Sequence, residues 1–118
     1  MKILLFGATG MVGQGVLREC LHDADVTAVL CVGRRPSGET HPKLRDLVVP
    51  DPGQLAAVEA ELAGFDACFF CLGVSSVGMS EEDYKRVTFD LTLGVARTLV
   101  RLTPQMTFHY VTGAGTHS

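Results

Sequence analysis

The stretch "LLFGATGMVGQG", Leu4 to Gly15, limits the fold of this chain more than any other part of it. It closes a short apolar run, Lys2 to Phe6, of the kind a sheet buries on both faces. Beyond the glycines at 7, 10 and 13, Val12, Val16, Leu17 and Leu21 recur at helical spacing, and the Asp23 and Asp25 region ends the pattern. A strand that turns through glycine directly into a helix puts a helix N-terminus at the strand's carboxyl end. There the free N–H groups and the helix dipole favour a phosphate.

The rest of the chain repeats the theme. Val26 to Val32 is β-branched and apolar and stops at Gly33. Arg34 to Arg45 has no periodicity and contains Pro36, Gly38 and Pro42, so it is expected to be a loop. Leu47 to Val49 is a short strand. Asp51-Pro52 reads as an N-cap followed by proline at the first helical position, with Leu55, Val58 and Leu62 on one helical face up to Gly64. Asp66 to Leu72 is the most apolar strand candidate and ends at Gly73. Ser80 followed by Glu81, Glu82 and Asp83 opens a long helix. Tyr84, Val87, Leu91, Val95, Leu99 and Leu102 carry it to Pro104, and Thr107 to Val111 is the last strand.

Five buried-type strands separated by helices or long crossovers require a parallel sheet, since antiparallel neighbours need only hairpins. Right-handed crossovers then predict an α/β, Rossmann-type doubly wound sheet with strand order 3-2-1-4-5. At 118 residues, 47% of them hydrophobic, the chain is expected to form a single domain over 1–118 with a core that needs no disulfides.

A net charge of −3 argues against a nucleic-acid partner, which needs clustered Lys and Arg. The apolar run Ile3 to Phe6 is too short for a signal peptide or membrane span, so an intracellular, cytoplasmic protein is expected. Cys68 and Cys71 have a redox or metal spacing. On a strand, however, residues three apart face opposite ways, so buried free thiols are expected for them, as for Cys20 and Cys31, and no metal site.

The chemistry centres on the glycine loop. Gly7 permits the tight turn, Gly10 lets a pyrophosphate approach the backbone, and Gly13 lets the helix pack closely on the strand. A glycine connector without a ligand is the competing reading. After the second strand, "CVGRRP" has Gly33 where an acidic residue would favour NAD. Arg34 and Arg35 follow, with guanidinium forks suited to a 2′-phosphate, which favours NADP. Solvated loop charges are the alternative for this pair, and Arg34 is the first choice as ligand.

In this order and spacing, "FGATGMVGQGVL", "VGRRP", "FDACFFCLG" and "FHYVTGAGT" resemble the atypical and extended branches of the short-chain dehydrogenase/reductase superfamily, and within them NmrA-like and NADPH-binding oxidoreductase-like proteins. The resemblance covers nearly the whole chain. It implies that Gly7, Ala8, Thr9, Gly10, Met11, Val12 and Gly13 form the pyrophosphate loop and that Arg34 and Arg35 select NADP. Leu72 and Gly73 would line the path toward the nicotinamide, and Val74 and Ser75 would extend that wall. Asp51 would lie beside the adenine, although an N-cap role explains it equally well.

Catalysis in that family needs a Ser or Thr beyond the fifth strand and a Tyr-x-x-x-Lys on the next helix. Thr112 is the nearest hydroxyl, with Gly113 in the slot by strand register, and the Tyr-x-x-x-Lys segment is absent. Tyr84, Tyr110, His109 and His117 are read as packing or surface residues. The resemblance therefore implies the cofactor half of a longer oxidoreductase acting on a small carbonyl-type substrate, or a non-catalytic NADP-sensing or partner-binding protein. The helix from Ser80 to Thr103 could serve a homodimer or simply cover its own sheet.

Overall fold

The structure is a computed structural model of the 118-residue chain, described here for residues 1–51, 54–71 and 80–111, without the side chain of Tyr84. Five strands form one parallel sheet: β1 (Lys2–Phe6), β2 (Ala28–Gly33), β3 (Leu44–Val48), β4 (Ala67–Phe70) and β5 (Thr107–Tyr110), in spatial order β3-β2-β1-β4-β5. The helices are α1 (Met11–His22), α2 (Glu59–Leu62) and α3 (Glu81–Leu102), with a 3₁₀ turn at Ala56–Val58. The doubly wound Rossmann topology expected from the order of elements is the one found.

The period-2 geometry of strands divides the apolar runs into two cores. Leu4, Phe6, Leu30, Val32, Cys68 and Phe70 face one way and pack with Leu62 of α2 and with Val95 and Leu99 of α3. Ile3, Leu5, Val29, Cys31 and Ala67 face the other way and meet Leu17, Cys20 and Leu21 of α1. This segregation follows from handedness. The chain moves one way along the sheet from β1 to β2 and the opposite way from β3 to β4 to β5, so right-handed crossovers must lie on opposite faces.

Local chemistry fixes the helix ends. The side-chain oxygen of Ser80 accepts a hydrogen bond from the Asp83 N–H at 3.1 Å, and Glu81, Glu82 and Asp83 complement the dipole of α3. At the far end of α1, Lys43 Nζ donates to the carbonyls of Leu21 (3.3 Å) and Asp23 (3.0 Å). The Lys43 cation thus satisfies acceptors that the last turn leaves over and ties α1 to the start of β3.

Three expectations need correction. The strand expected at Leu47 begins at Leu44, inside the expected loop, because backbone pairing with β2 sets in early: Val29 N–H donates to Lys43 O at 2.9 Å. Arg45 and Asp46 are tolerated there because β3 is an edge strand with exposed positions.

Of the helix expected from Asp51, Pro52 lies outside the described residues, and the described part is a 3₁₀ turn followed by a single α-helical turn, α2. Its N-cap is Val58, with no side-chain hydrogen bond, so Asp51 does not cap it. Leu55 and Leu62 are nevertheless buried as their spacing predicts, because a 3₁₀ turn and a helical turn still aim both at the same core. Finally, β5 lies at the other edge, and only Phe108 of its four residues is even partly buried. Tyr110 is half exposed, with its ring 6.2 Å from that of Phe70, and His109 stacks on Phe69 at 4.9 Å.

Candidate functional site

The glycine loop sits where the central strand meets α1. Gly7 adopts φ +86°, a left-handed conformation that glycine reaches without a Cβ penalty. Gly10 N–H returns to Gly7 O at 3.3 Å, and Gly10 is the N-cap of α1. It lacks a side chain and the first turn holds no acidic residue, so among the described residues no side-chain oxygen caps the start of α1. An uncapped N-terminus at the carboxyl edge of a parallel sheet suits a pyrophosphate.

The glycines divide the work unequally. A Cβ on Gly13 would lie 1.8 Å from Gly7 O and 2.7 Å from Gly7 C, so helix and loop touch backbone to backbone there. A Cβ on Gly10 would meet only Gly7 O, at 3.8 Å, an ordinary contact. The fold therefore requires glycine at 7 and 13 but tolerates a side chain at 10. That position needs glycine only if something outside the protein approaches it.

A small cleft beside the loop is lined by Gly7, Ala8, Thr9, Cys31, Gly33 and Arg34, with Val32 and Arg35 completing it. Arg34 and Arg35 are exposed, and among the described residues neither meets a carboxylate. Two guanidinium groups without a carboxylate partner among the described residues thus stand at the end of β2, in the wall of the cleft beside the start of α1. Met11 is 92% exposed at the start of α1, while Val12 is half-buried. Asp51 is exposed beyond the end of β3. Leu72, Gly73, Val74, Ser75, Thr112 and Gly113 lie outside the described residues, as does the side chain of Tyr84.

A larger concavity lies on the flank of α1, lined among others by Ile3, Val12, Gly15, Val16, Glu19 and Phe69. It runs away from the arginines toward the amino ends of the strands, its wall is mainly apolar, and the carboxylates of Glu19 and Asp23 in that wall disfavour a phosphate. The smaller cleft is the better candidate on chemical grounds.

Two residues that local spacing does not single out, Ser37 and Asp46, meet just beyond the arginines. Ser37 is only 7% exposed although its neighbours are open to solvent. Its N–H donates to Asp46 Oδ1 at 2.9 Å, its hydroxyl pairs with Asp46 Oδ2 at 3.2 Å, and its Oγ accepts from Glu39 N–H at 3.4 Å. Nine residues separate Ser37 from Asp46, so only strand pairing brings them together.

The cysteines are packing residues. Cys68 belongs to one core and Cys71 packs against the other, so the C-F-F-C pair points to opposite faces as strand geometry demands. Burial raises the Cys31 thiol from its usual 9.0 to about 12, with the Asp46 carboxylate adding to the effect and a hydrogen bond with Ser37 opposing it. Burial likewise raises Cys71 to about 11. Both stay protonated near neutrality and are poor nucleophiles. Among the described residues no group of three His, Cys, Asp or Glu could hold a metal ion, and no helix is long and apolar enough to cross a membrane.

A doubly wound parallel sheet with a glycine loop running into its first helix defines the class of NAD(P)-binding Rossmann proteins. More narrowly, the chain belongs to the NAD dependent epimerase/dehydratase family, whose model matches residues 3–118. It is 25% identical over 120 residues to leucinostatins biosynthesis cluster protein T of Purpureocillium lilacinum, covering 99% of this chain and 44% of that one.

Among solved structures, uronate dehydrogenase from Agrobacterium tumefaciens superposes with a TM-score of 0.65 at 23% identity, over 91% of this chain and 39% of the enzyme. A mutant of that enzyme was solved in complex with NAD. A short chain dehydrogenase family protein from Francisella tularensis gives a TM-score of 0.61 at 17% identity, over 86% and 46% of the two chains. The chain thus spans less than half the length of each of these proteins.

Proposed function

We propose that this chain binds NADP(H) across the carboxyl ends of its strands, as the cofactor-binding unit, residues 1–118, of a short-chain-type oxidoreductase acting on a small carbonyl-type substrate. The observation that carries the NADP assignment is the pair of guanidinium groups, Arg34 and Arg35, which meet no carboxylate among the described residues and stand beside the start of α1. A 2′-phosphate would gain charge-assisted hydrogen bonds there, whereas a bare ribose would gain little.

In this reading the Gly7–Gly13 loop holds the pyrophosphate with its backbone. Arg34, with Arg35 beside it, takes the 2′-phosphate, and Asp51 borders the adenine. Leu72, Gly73, Val74 and Ser75 wall the path to the nicotinamide, and Thr112 is the nearest hydroxyl for orienting a substrate. When bound, the nicotinamide supplies the hydride. The residues of this chain position the cofactor and neutralise its charge.

Thermal unfolding tests the assignment. NADP at 100 times its dissociation constant will stabilise the fold by about 2.7 kcal/mol. NAD at the same concentration will do far less, and equal shifts would remove the NADP assignment. Turnover of NADPH with a panel of carbonyl compounds separates the enzyme from the second reading, a non-catalytic NADP-sensing protein, which predicts binding without turnover.

A homodimer through α3 belongs to the same proposal. Besides its buried face, this helix carries Phe89, 61% exposed, and Val100, 49% exposed, with half-buried Leu93 and Ala96 between them at spacings of four, three and four. Such a stripe suits helix-to-helix packing. In sedimentation velocity the parent chain will run as a dimer and Phe89→Glu as a monomer. A monomeric parent would exclude this interface.

A further inference from the structure

Between Gly33 and Ser37 the chain has three residues, Arg34, Arg35 and Pro36, and both ends of the span are fixed. On one side Gly33 O accepts the Val49 N–H at 2.8 Å, which closes the ladder between β2 and β3. On the other, Ser37 is held by both carboxylate oxygens of Asp46. Asp46 is the register partner of Cys31 across the β2–β3 pair, so the carboxylate is anchored to a strand. Pro36 further narrows the backbone choices of the span.

We infer that Ser37 and Asp46 form a clamp that holds Arg34 and Arg35 in their phosphate-binding position, so that preference for NADP over NAD depends on a carboxylate that itself touches no cofactor. The inference rests on the NADP reading above and adds the positioning residues to it. The physical reason is preorganisation. An arginine on an open loop must lose backbone and side-chain freedom on binding, while one on a segment pinned at both ends has lost much of the backbone share already. Hydrogen bonds to an ionised carboxylate are among the stronger ones available for the pinning.

The clamp makes a prediction opposite in sign to simple electrostatics. Asp46 is a negative charge close to a phosphate site, and its field reaches Cys31 in the wall of the cleft. If charge alone mattered, Asp46→Ala would tighten NADP. If the clamp operates, the same change loosens it.

The test is calorimetric titration of the chain with NADP and with NAD, for the parent, Ser37→Ala, Asp46→Ala, Arg34→Ala/Arg35→Ala, and the last combined with Asp46→Ala. Asp46→Ala is expected to weaken NADP about tenfold and NAD less than about twofold. Ser37→Ala, which keeps its N–H on Asp46, is expected to weaken NADP about threefold. On the double-arginine background, Asp46→Ala should have no further effect, because there is nothing left to position.

Unaltered NAD affinity in Ser37→Ala shows an intact fold even if Asp46→Ala fails to fold. If the parent prefers NADP, and loses that preference with the arginines but keeps it in Ser37→Ala and Asp46→Ala, the clamp is wrong and the NADP reading stands. Tighter NADP binding by Asp46→Ala overturns the clamp in the same way. A parent that binds both dinucleotides equally overturns the reading and the clamp with it.

Discussion

Replacing Arg34 and Arg35 together by alanine will weaken NADP binding by about 100-fold and NAD binding by less than about threefold. The size follows from what the two groups can offer. A hydrogen bond to a charged partner contributes about 1.5–3 kcal/mol, and about 2.7 kcal/mol corresponds to 100-fold. Both side chains are exposed, so salt screens part of their field, which keeps the expectation near one strong contact instead of the sum of two.

The specificity of the loss carries the meaning. On the proposed reading, pyrophosphate contacts from the Gly7–Gly13 backbone are common to both dinucleotides, while the arginines meet only the 2′-phosphate. Isothermal titration with each cofactor separates the two cases. Equal losses would mean that the guanidinium groups act only as general surface charge.

Gly13→Ala will destabilise the fold by about 3 kcal/mol or more, and Gly15→Ala, two residues away on the same helix, will stabilise it by about 0.5–1 kcal/mol. The first substitution drives a methyl group to 1.8 Å from a backbone oxygen. No rotamer relieves a Cβ clash, so α1 would have to lift off β1, where Leu17 and Leu21 seal one core. At Gly15 a Cβ meets nothing within 4 Å, and alanine lowers the entropy the unfolded chain must lose. Urea denaturation monitored by circular dichroism gives both values. A Gly13→Ala protein as stable as the parent would mean that α1 packs farther from the loop than described.

Much of this architecture is legible in local pattern. Lys2–Phe6, the glycine triplet, the spacing of Val12, Val16, Leu17 and Leu21, and the acidic start of α3 each mark an element through short-range chemistry. The structure puts those elements where the pattern does. Because parallel crossovers are right-handed whatever the sequence, the alternation of strands and helices leads to the expected order 3-2-1-4-5, which is the one found.

Other features depend on neighbours in space. Leu44 and Arg45 read as the end of a loop that lacks periodicity and contains Pro36, Gly38 and Pro42, yet they open β3 because β2 supplies partners for their backbone. Asp51-Pro52 has the signature of a helix start, but the chain from Leu55 to Leu62 needs only two short turns to bury both leucines. Tyr110 lies in an apolar stretch and is half exposed, because β5 has a strand on one side only among the described residues.

The candidate site divides along the same line. Glycine at 7, 10 and 13 and arginine at 34 and 35 can be named from sequence, since each residue type answers a specific local need: a tight turn, an open backbone, close helix packing or a fixed charge. The sequence by itself thus determined the class of fold and which residue types stand at its carboxyl edge, because both arise from patterns within a few residues. Only the tertiary structure showed how tight the Gly13 contact is, with a Cβ falling 1.8 Å from Gly7 O, and that Ser37 is tied to Asp46. Those relations are distances between residues from different elements, and a distance of that kind exists only once the strands have paired.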